Sequence, residues 1–213
     1  MEQTLKDPVG EPRFLKELPP LILASRSPRR RELLSRLTED FQVVASSFNE
    51  APLMHASLSP EELVLSLSEG KARAIQNVPE NAVVIGGDTV VVSPEGTVFG
   101  IPKDREDAFS ILRALSGRTH RVVTGVTLLQ SARCRRFFVT TEVEFYPLSE
   151  EEILWYLETG EPFDKAGAYG IQGKGSLLVR EIRGDYANVV GLPVAELARN
   201  LQSFLNIQKV SLA

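Results

Sequence analysis

A chain of 213 residues, 43% hydrophobic and with a formal net charge of −4, can bury one sizeable core but carries no general positive field for nucleic acid. One cysteine, Cys134, excludes an intrachain disulfide, and with only His55 and His120 beside it a Cys/His zinc site is excluded too. No apolar run is long enough to span a bilayer and the first twenty residues lack a secretory core, so a cytoplasmic protein without membrane contact is expected.

Met1 to Pro20 is polar and carries Pro8, Pro12, Pro19 and Pro20, which predicts a flexible tail before a single domain over 21–207. Leu21-Ile22-Leu23-Ala24 predicts a buried strand. Ser27 and Pro28 then supply the N-cap and first residue of a helix whose apolar positions are Leu33, Leu34 and Leu37. Phe41 to Ala45 predicts a second strand. Ser59 and Glu62 form a capping box ahead of a helix with Leu63, Val64, Leu67, Lys71 and Ala74 at helical spacing, Lys71 falling in a Gly-Lys-Ala break. Ala82 to Ile85 reads as a short apolar strand ending in Gly86-Gly87-Asp88-Thr89, with Asp88 just past its end and Val98-Phe99 pairing back.

Asp104 caps a helix striped with Ala108, Ile111, Leu112 and Leu115 and closed by Gly117. Alternating residues from Val122 to Leu128 and from Phe137 to Phe145 predict a long antiparallel hairpin, with Cys134 in its loop. A second capping box, Ser149 with Glu152, opens a helix that ends at Gly160. After a glycine-rich stretch from Gly167 to Gly175, a strand is expected over Leu177 to Ile182, and Pro193 opens the last helix. Helices and strands alternate with at least one antiparallel stretch, so the class is α/β.

The most telling stretch is Ser25-Arg26-Ser27-Pro28-Arg29-Arg30. Hydroxyls and guanidiniums at a strand-to-helix turn suit an anion, because free N–H groups and the helix dipole already point there. The same residues also describe a capped surface helix with solvated arginines. Asp88, after an apolar strand and two glycines, suits a hard metal ion or a water, but a Gly-Asp turn is as common. Glu50 reads alone as a surface acid, Lys71 as a solvated lysine or a point-charge clamp, and His120 as structural. The segment around Gln172 fits neither a Walker loop nor a dinucleotide fingerprint.

Taken in order, these residues resemble the Maf-like nucleotide pyrophosphatases. The resemblance rests on Leu23 to Arg30, Glu50, Gly70-Lys71-Ala72, Gly86-Gly87-Asp88-Thr89, Leu115 to His120, Asp164 to Gly173 and Val189 to Pro193. It implies a mixed, strongly twisted central sheet with flanking helices, in two lobes around a deep cleft, similar to the inosine-triphosphate pyrophosphatases. It implies hydrolysis of a nucleoside triphosphate to monophosphate and pyrophosphate with a divalent metal (magnesium, with manganese or cobalt as alternatives), and assembly as a homodimer. Ser25, Ser27, Arg29 and Arg30 would hold phosphate, Glu50 and Asp88 the metal, with Asp88 activating water and Lys71 adding charge.

Arg29, Thr89 and Gln172 match the dTTP/UTP pyrophosphatases, since the subgroup preferring 7-methyl-GTP carries other residues there. A carboxamide such as Gln172 can meet N3–H and a neighbouring carbonyl of uracil or thymine. One position departs from the family: Ile101 stands where a lysine is usual, with Lys103 just after the proline. That departure motivates a rival reading, a nucleotide-binding regulator of cell division with little catalysis. The clusters Arg29 to Arg31 and Arg133 to Arg136 motivate another, a nucleic-acid module, against which the acidic total argues.

Overall fold

The computed structural model describes residues 15, 17–54 and 56–205. Most of the expected tail lies outside them, as does His55, though Leu15 and Leu18 pack on the main core. The strands are β1 (Leu21–Ala24), β2 (Phe41–Val43), β3 (Val83–Val92), β4 (Val98–Phe99), β5 (Thr119–Gln130), β6 (Arg133–Phe145) and β7 (Val179–Arg183). They form one mixed sheet in the order β2-β1-β3-β5-β6-β7, with β4 also on β3. Strands β2, β1 and β3 run parallel, whereas β3, β5, β6 and β7 are joined antiparallel.

Helix α1 (Pro28–Ser35), α2 (Pro60–Arg73), α3 (Arg105–Leu115), α4 (Glu150–Glu158), α5 (Tyr186–Val190) and α6 (Val194–Phe204) flank this sheet. Ser27 and Asp104 cap their helices as expected, and both capping boxes form. On α1 half of the positions are charged, so the helix is held by Leu33 and Leu34, both fully buried and contributing roughly 2 kcal/mol each.

Side chains alternate along β3, and this sets the architecture. Val84, Val90 and Val92 face α2 and pack on Leu63, Val64, Leu67 and Ala72. On the other face Val83 and Ile85 join one cluster with α1, α5 and α6, while Val91 joins a second with α3 and α4. Between these clusters that face carries only Gly87 and Thr89. The two lobes of the molecule are these clusters, and the cleft is the gap where β3 bears no large apolar side chain.

Five local expectations are corrected. Strand β2 stops at Val43 rather than Ala45, and β7 begins at Val179, because Gly173–Leu178 winds as a 3₁₀ turn. Gly70 does not break α2, which continues to Arg73; the glycine is there because the Phe48 ring lies where a Cβ would stand. Cys134 is an exposed residue of β6 paired with Leu129, since the hairpin turns more tightly, at Ser131 with φ 48°. Asp88 is not past a strand end but inside β3, paired with Gly125.

His120 on β5 is structural, as expected. It is 1% exposed, meets Phe145 and Tyr169 edge-on at 4.9 and 5.4 Å, and shares a 2.9 Å hydrogen bond between Nε2 and Tyr169 Oη. Its Nδ1 has no partner among the described residues, and burial pushes its pKa down to about 4. The folded protein therefore resists a proton that the unfolded chain accepts, so stability is full above pH 6.5 and falls as pH drops towards 4. We expect wild type to lose about 2 kcal/mol more than His120→Gln between pH 7 and pH 4.5 in chemical denaturation. Equal losses would remove His120 as the cause.

Candidate functional site

The site follows from a break in strand pairing. One edge of β3 is covered by β5 from Val84 to Val92; the other is covered by β1 up to Gly86 and by β4 from Val91. Gly87 to Val90 therefore present an unpaired edge at the point where a parallel neighbour gives way to an antiparallel one. The carboxyl end of β1 points to the same gap and leads through Ser25 to Ser27 into α1. Such switch points are where open α/β sheets hold ligands. Here the gap is a cleft of about 340 Å³, roofed by the turn Asp164 to Gln172 and by Val189 to Gly191 at the end of α5.

Asp88 and Thr89 point to opposite faces of β3, and each meets a different cation. Asp88 Oδ1 lies 2.5 Å from Lys71 Nζ, which also reaches Glu50 Oε1 at 3.0 Å. Lys71 arrives from the last turn of α2, and that helix comes close because Gly86 and Gly125 offer no side chain beneath it. Burial pushes the Asp88 carboxyl above its usual range, opposed by Lys71 and Arg30.

Arg30 is clamped. Its Nε donates to the Gly191 carbonyl at 2.8 Å, Nη2 to Thr89 Oγ1 at 3.0 Å, and Nη1 reaches Ser25 Oγ at 3.5 Å. The guanidinium lies over Gly87, where a Cβ would stand 3.3 Å from Nε. Burial lowers the Arg30 pKa, partly offset by Asp88. Thr89 Oγ1 is 2.9 Å from Thr124 Oγ1, which donates to the Asn188 carbonyl, so the Thr89 proton turns to Thr124 and its oxygen is left to accept from Arg30. Thr89 thus fixes a charge in place.

Of the residues singled out in the sequence, Ser27, Arg29, Arg30, Glu50, Lys71, Asp88, Thr89 and Gln172 line the cleft together, as does Ile101. Ser25 does not. It is buried behind Arg30, where its hydroxyl accepts from the Ser27 N–H at 3.1 Å. Lys103 is likewise outside the lining, exposed, with its N–H on Asp107. Arg29 crosses the cleft and donates to Asp164 Oδ2 at 2.9 Å and to the Asp164 carbonyl at 3.3 Å. The second arginine cluster lies elsewhere: Arg133 donates to the Phe204 carbonyl and Arg135 to that of Asn200, closing α6, while Arg136 pairs with Glu69. The sequence reading gives no role to Asp164, Lys165, Tyr169 or Gly191, which also line the cleft. All four lie in stretches that carry the family resemblance, Asp164 to Gly173 and Val189 to Pro193, and that was the signal that could have found them.

Glu50 and Asp88 converge on one point, where Lys71 Nζ stands between them. Among the described residues no group of three His, Cys, Asp or Glu side chains gathers for a metal. Two hard carboxylates fit a magnesium-like ion, which takes one or two from protein and the rest from phosphate and water.

Fold and cleft together define a mixed α/β protein with a charged cleft at the switch point of its sheet. It belongs to the Maf-like protein family, whose model matches residues 20–204. A protein of Bacillus velezensis named dTTP/UTP pyrophosphatase is 53% identical over 184 residues, covering 86% of this chain and 96% of the relative. One of the same name from Carboxydothermus hydrogenoformans is 49% identical over 186 residues, covering 86% and 98%. A solved HAM1 protein from Coxiella burnetii aligns with TM-score 0.44 and 12% identity over 86% of this chain and 98% of that one. No helix among the described residues is long and apolar enough to cross a membrane.

Proposed function

We propose that this protein hydrolyses nucleoside triphosphates, dTTP and UTP foremost, between the α- and β-phosphates, releasing the monophosphate and pyrophosphate. The observation that carries the reading is Asp88, a buried carboxylate at the unpaired edge of β3 with a cation on each face of the strand. The names of the relatives supply the substrate class.

In this reading the phosphates lie along the wall made by Ser27, Arg29, Arg30 and Lys71, with Ser25 holding Arg30 from behind. Glu50 and Asp88 would hold a divalent ion, which when bound neutralises charge on the phosphates. Asp88 takes a proton from the attacking water, its burial raising its affinity for that proton. Arg30 cannot swing, so its charge is already in place before the transition state forms. Gln172, half-buried in the roof, offers its amide to the pairing edge of uracil or thymine. The same reading places the protein in the cytoplasm as a homodimer acting on free nucleotides, not nucleic acid.

The test is a panel of standard and modified nucleoside triphosphates with magnesium, followed by pyrophosphate release. Turnover is expected to be fastest with dTTP and UTP. Tight binding without release would favour the regulator reading that Ile101 motivates, because the cleft then lacks a working cation at that position.

A further inference from the structure

Deepening the polyphosphate reading of the cleft, we propose that Arg29 and Lys165 form a second anion-binding pair for the distal phosphates, and that the Asp164 carboxylate holds their place until a ligand arrives. Arg29 comes from the first turn of α1, in one lobe, and Lys165 from the 3₁₀ turns that follow α4, in the other. They meet on one carboxylate: Asp164 Oδ2 accepts from Arg29 at 2.9 Å and Oδ1 from Lys165 Nζ at 2.5 Å. Two oxygens of one anion shared between two cations is also how a phosphate group is held.

Three features separate this arrangement from an ordinary surface ion pair. Both cations line the cleft and are mostly sheltered, with side chains 25% and 17% exposed, whereas Asp164 is 62% exposed and free to turn outward. Lys165 is also prepositioned. Its ammonium donates to the Glu161 carbonyl at 2.6 Å, and its stem lies across Gly170, where a Cβ would stand 2.6 Å from Cε. Gly170 has no positive φ, so the glycine there answers to the lysine stem and not to the backbone. Finally, the cleft lining sets four cations (Arg29, Arg30, Lys71 and Lys165) against three carboxylates (Glu50, Asp88 and Asp164). Turning Asp164 away leaves a surplus of two positive charges, which a polyphosphate can fill. Lys165 thereby supplies, from the roof, a cation to a cleft whose lining includes Ile101.

Titration of inorganic tripolyphosphate into the full chain by calorimetry, at fixed ionic strength and without nucleotide, tests this. Asp164→Asn keeps the shape and removes the competing charge, so it is expected to tighten binding about fivefold, a modest gain because the carboxylate is exposed. Lys165→Met is expected to weaken binding about tenfold and to cancel the gain when the two are combined. A merely structural strap predicts the opposite for Asp164→Asn: unchanged or weaker binding with a lower melting temperature, and that result overturns the proposal. If Asp164→Asn does not fold, Lys165→Met decides alone, and unchanged affinity there overturns it equally. Because the readout needs no hydrolysis, an absence of pyrophosphate release from dTTP would sink the hydrolase reading and leave this pair standing.

Discussion

Asp88→Asn is expected to slow pyrophosphate release from dTTP by roughly a hundredfold or more while the protein still folds. The amide has the shape of the carboxylate, so β3 keeps its pairing with Gly125, and Lys71 keeps Glu50 as a counter-ion. The change removes the negative charge that would hold a divalent ion and the group that accepts a proton from water, two losses acting at one atom. Binding of the nucleotide should change far less than turnover, because Arg29, Arg30 and Lys71 remain. The check is steady-state turnover of the purified variant beside its melting curve. Near-normal turnover in a folded variant would remove Asp88 from the chemistry.

The second large effect is on folding. Gly125→Ala is expected to cost about 3 kcal/mol, at the upper end of overpacking penalties. Gly125 is extended, in the middle of β5, so nothing in its backbone demands glycine. What demands it is α2: a Cβ there would lie 2.5 Å from the carbonyl carbon and oxygen of Val64 and 2.9 Å from the Leu65 nitrogen. All three are backbone atoms of a helix, which cannot give way as a side-chain tip can. Pushing α2 outward also shifts Lys71, so activity should fall with stability. Urea denaturation decides it, with Gly96→Ala as control. That glycine has φ 89° and open space around it, so alanine there meets only backbone strain, about 1 kcal/mol. Equal costs at the two positions would refute the close-approach account.

Much of this fold is legible along the chain. Ser59 with Glu62 and Ser149 with Glu152 close their capping boxes within three residues, so reading them needs no knowledge of the rest. The alternation from Val122 to Leu128 and from Phe137 to Phe145 predicts the hairpin for the same reason. Errors arose where a distant partner overrides a local signal. Gly86-Gly87-Asp88-Thr89 read as the end of a short strand, yet all four continue β3, because β5 pairs across them and the space above the glycines is taken by α2 on one face and Arg30 on the other. Gly70 reads as a helix break, yet it accommodates Phe48.

The cleft divides in the same way. Residue types alone pointed to Ser25, Ser27, Arg29, Arg30 and Asp88 and left a surface reading open for each; Glu50, Lys71, Thr89 and Gln172 joined them through the ordered resemblance to a family, and most of this set lines one cleft. Which of them is fixed, which is tied to a competitor and which is turned away could not be read there. Arg30 is immobilised by a carbonyl 161 positions along the chain, and Arg29 is held by a carboxylate 135 positions away. Capping, alternation and charge depend on neighbours within a few residues, and so the order of amino acids determined them by itself. The pairing of β1 on β3, about sixty residues away, and the convergence of both lobes on the bare edge that β1 and β4 leave between them were decided only when the sheet closed, since contacts so distant in sequence exist in no shorter piece of the chain.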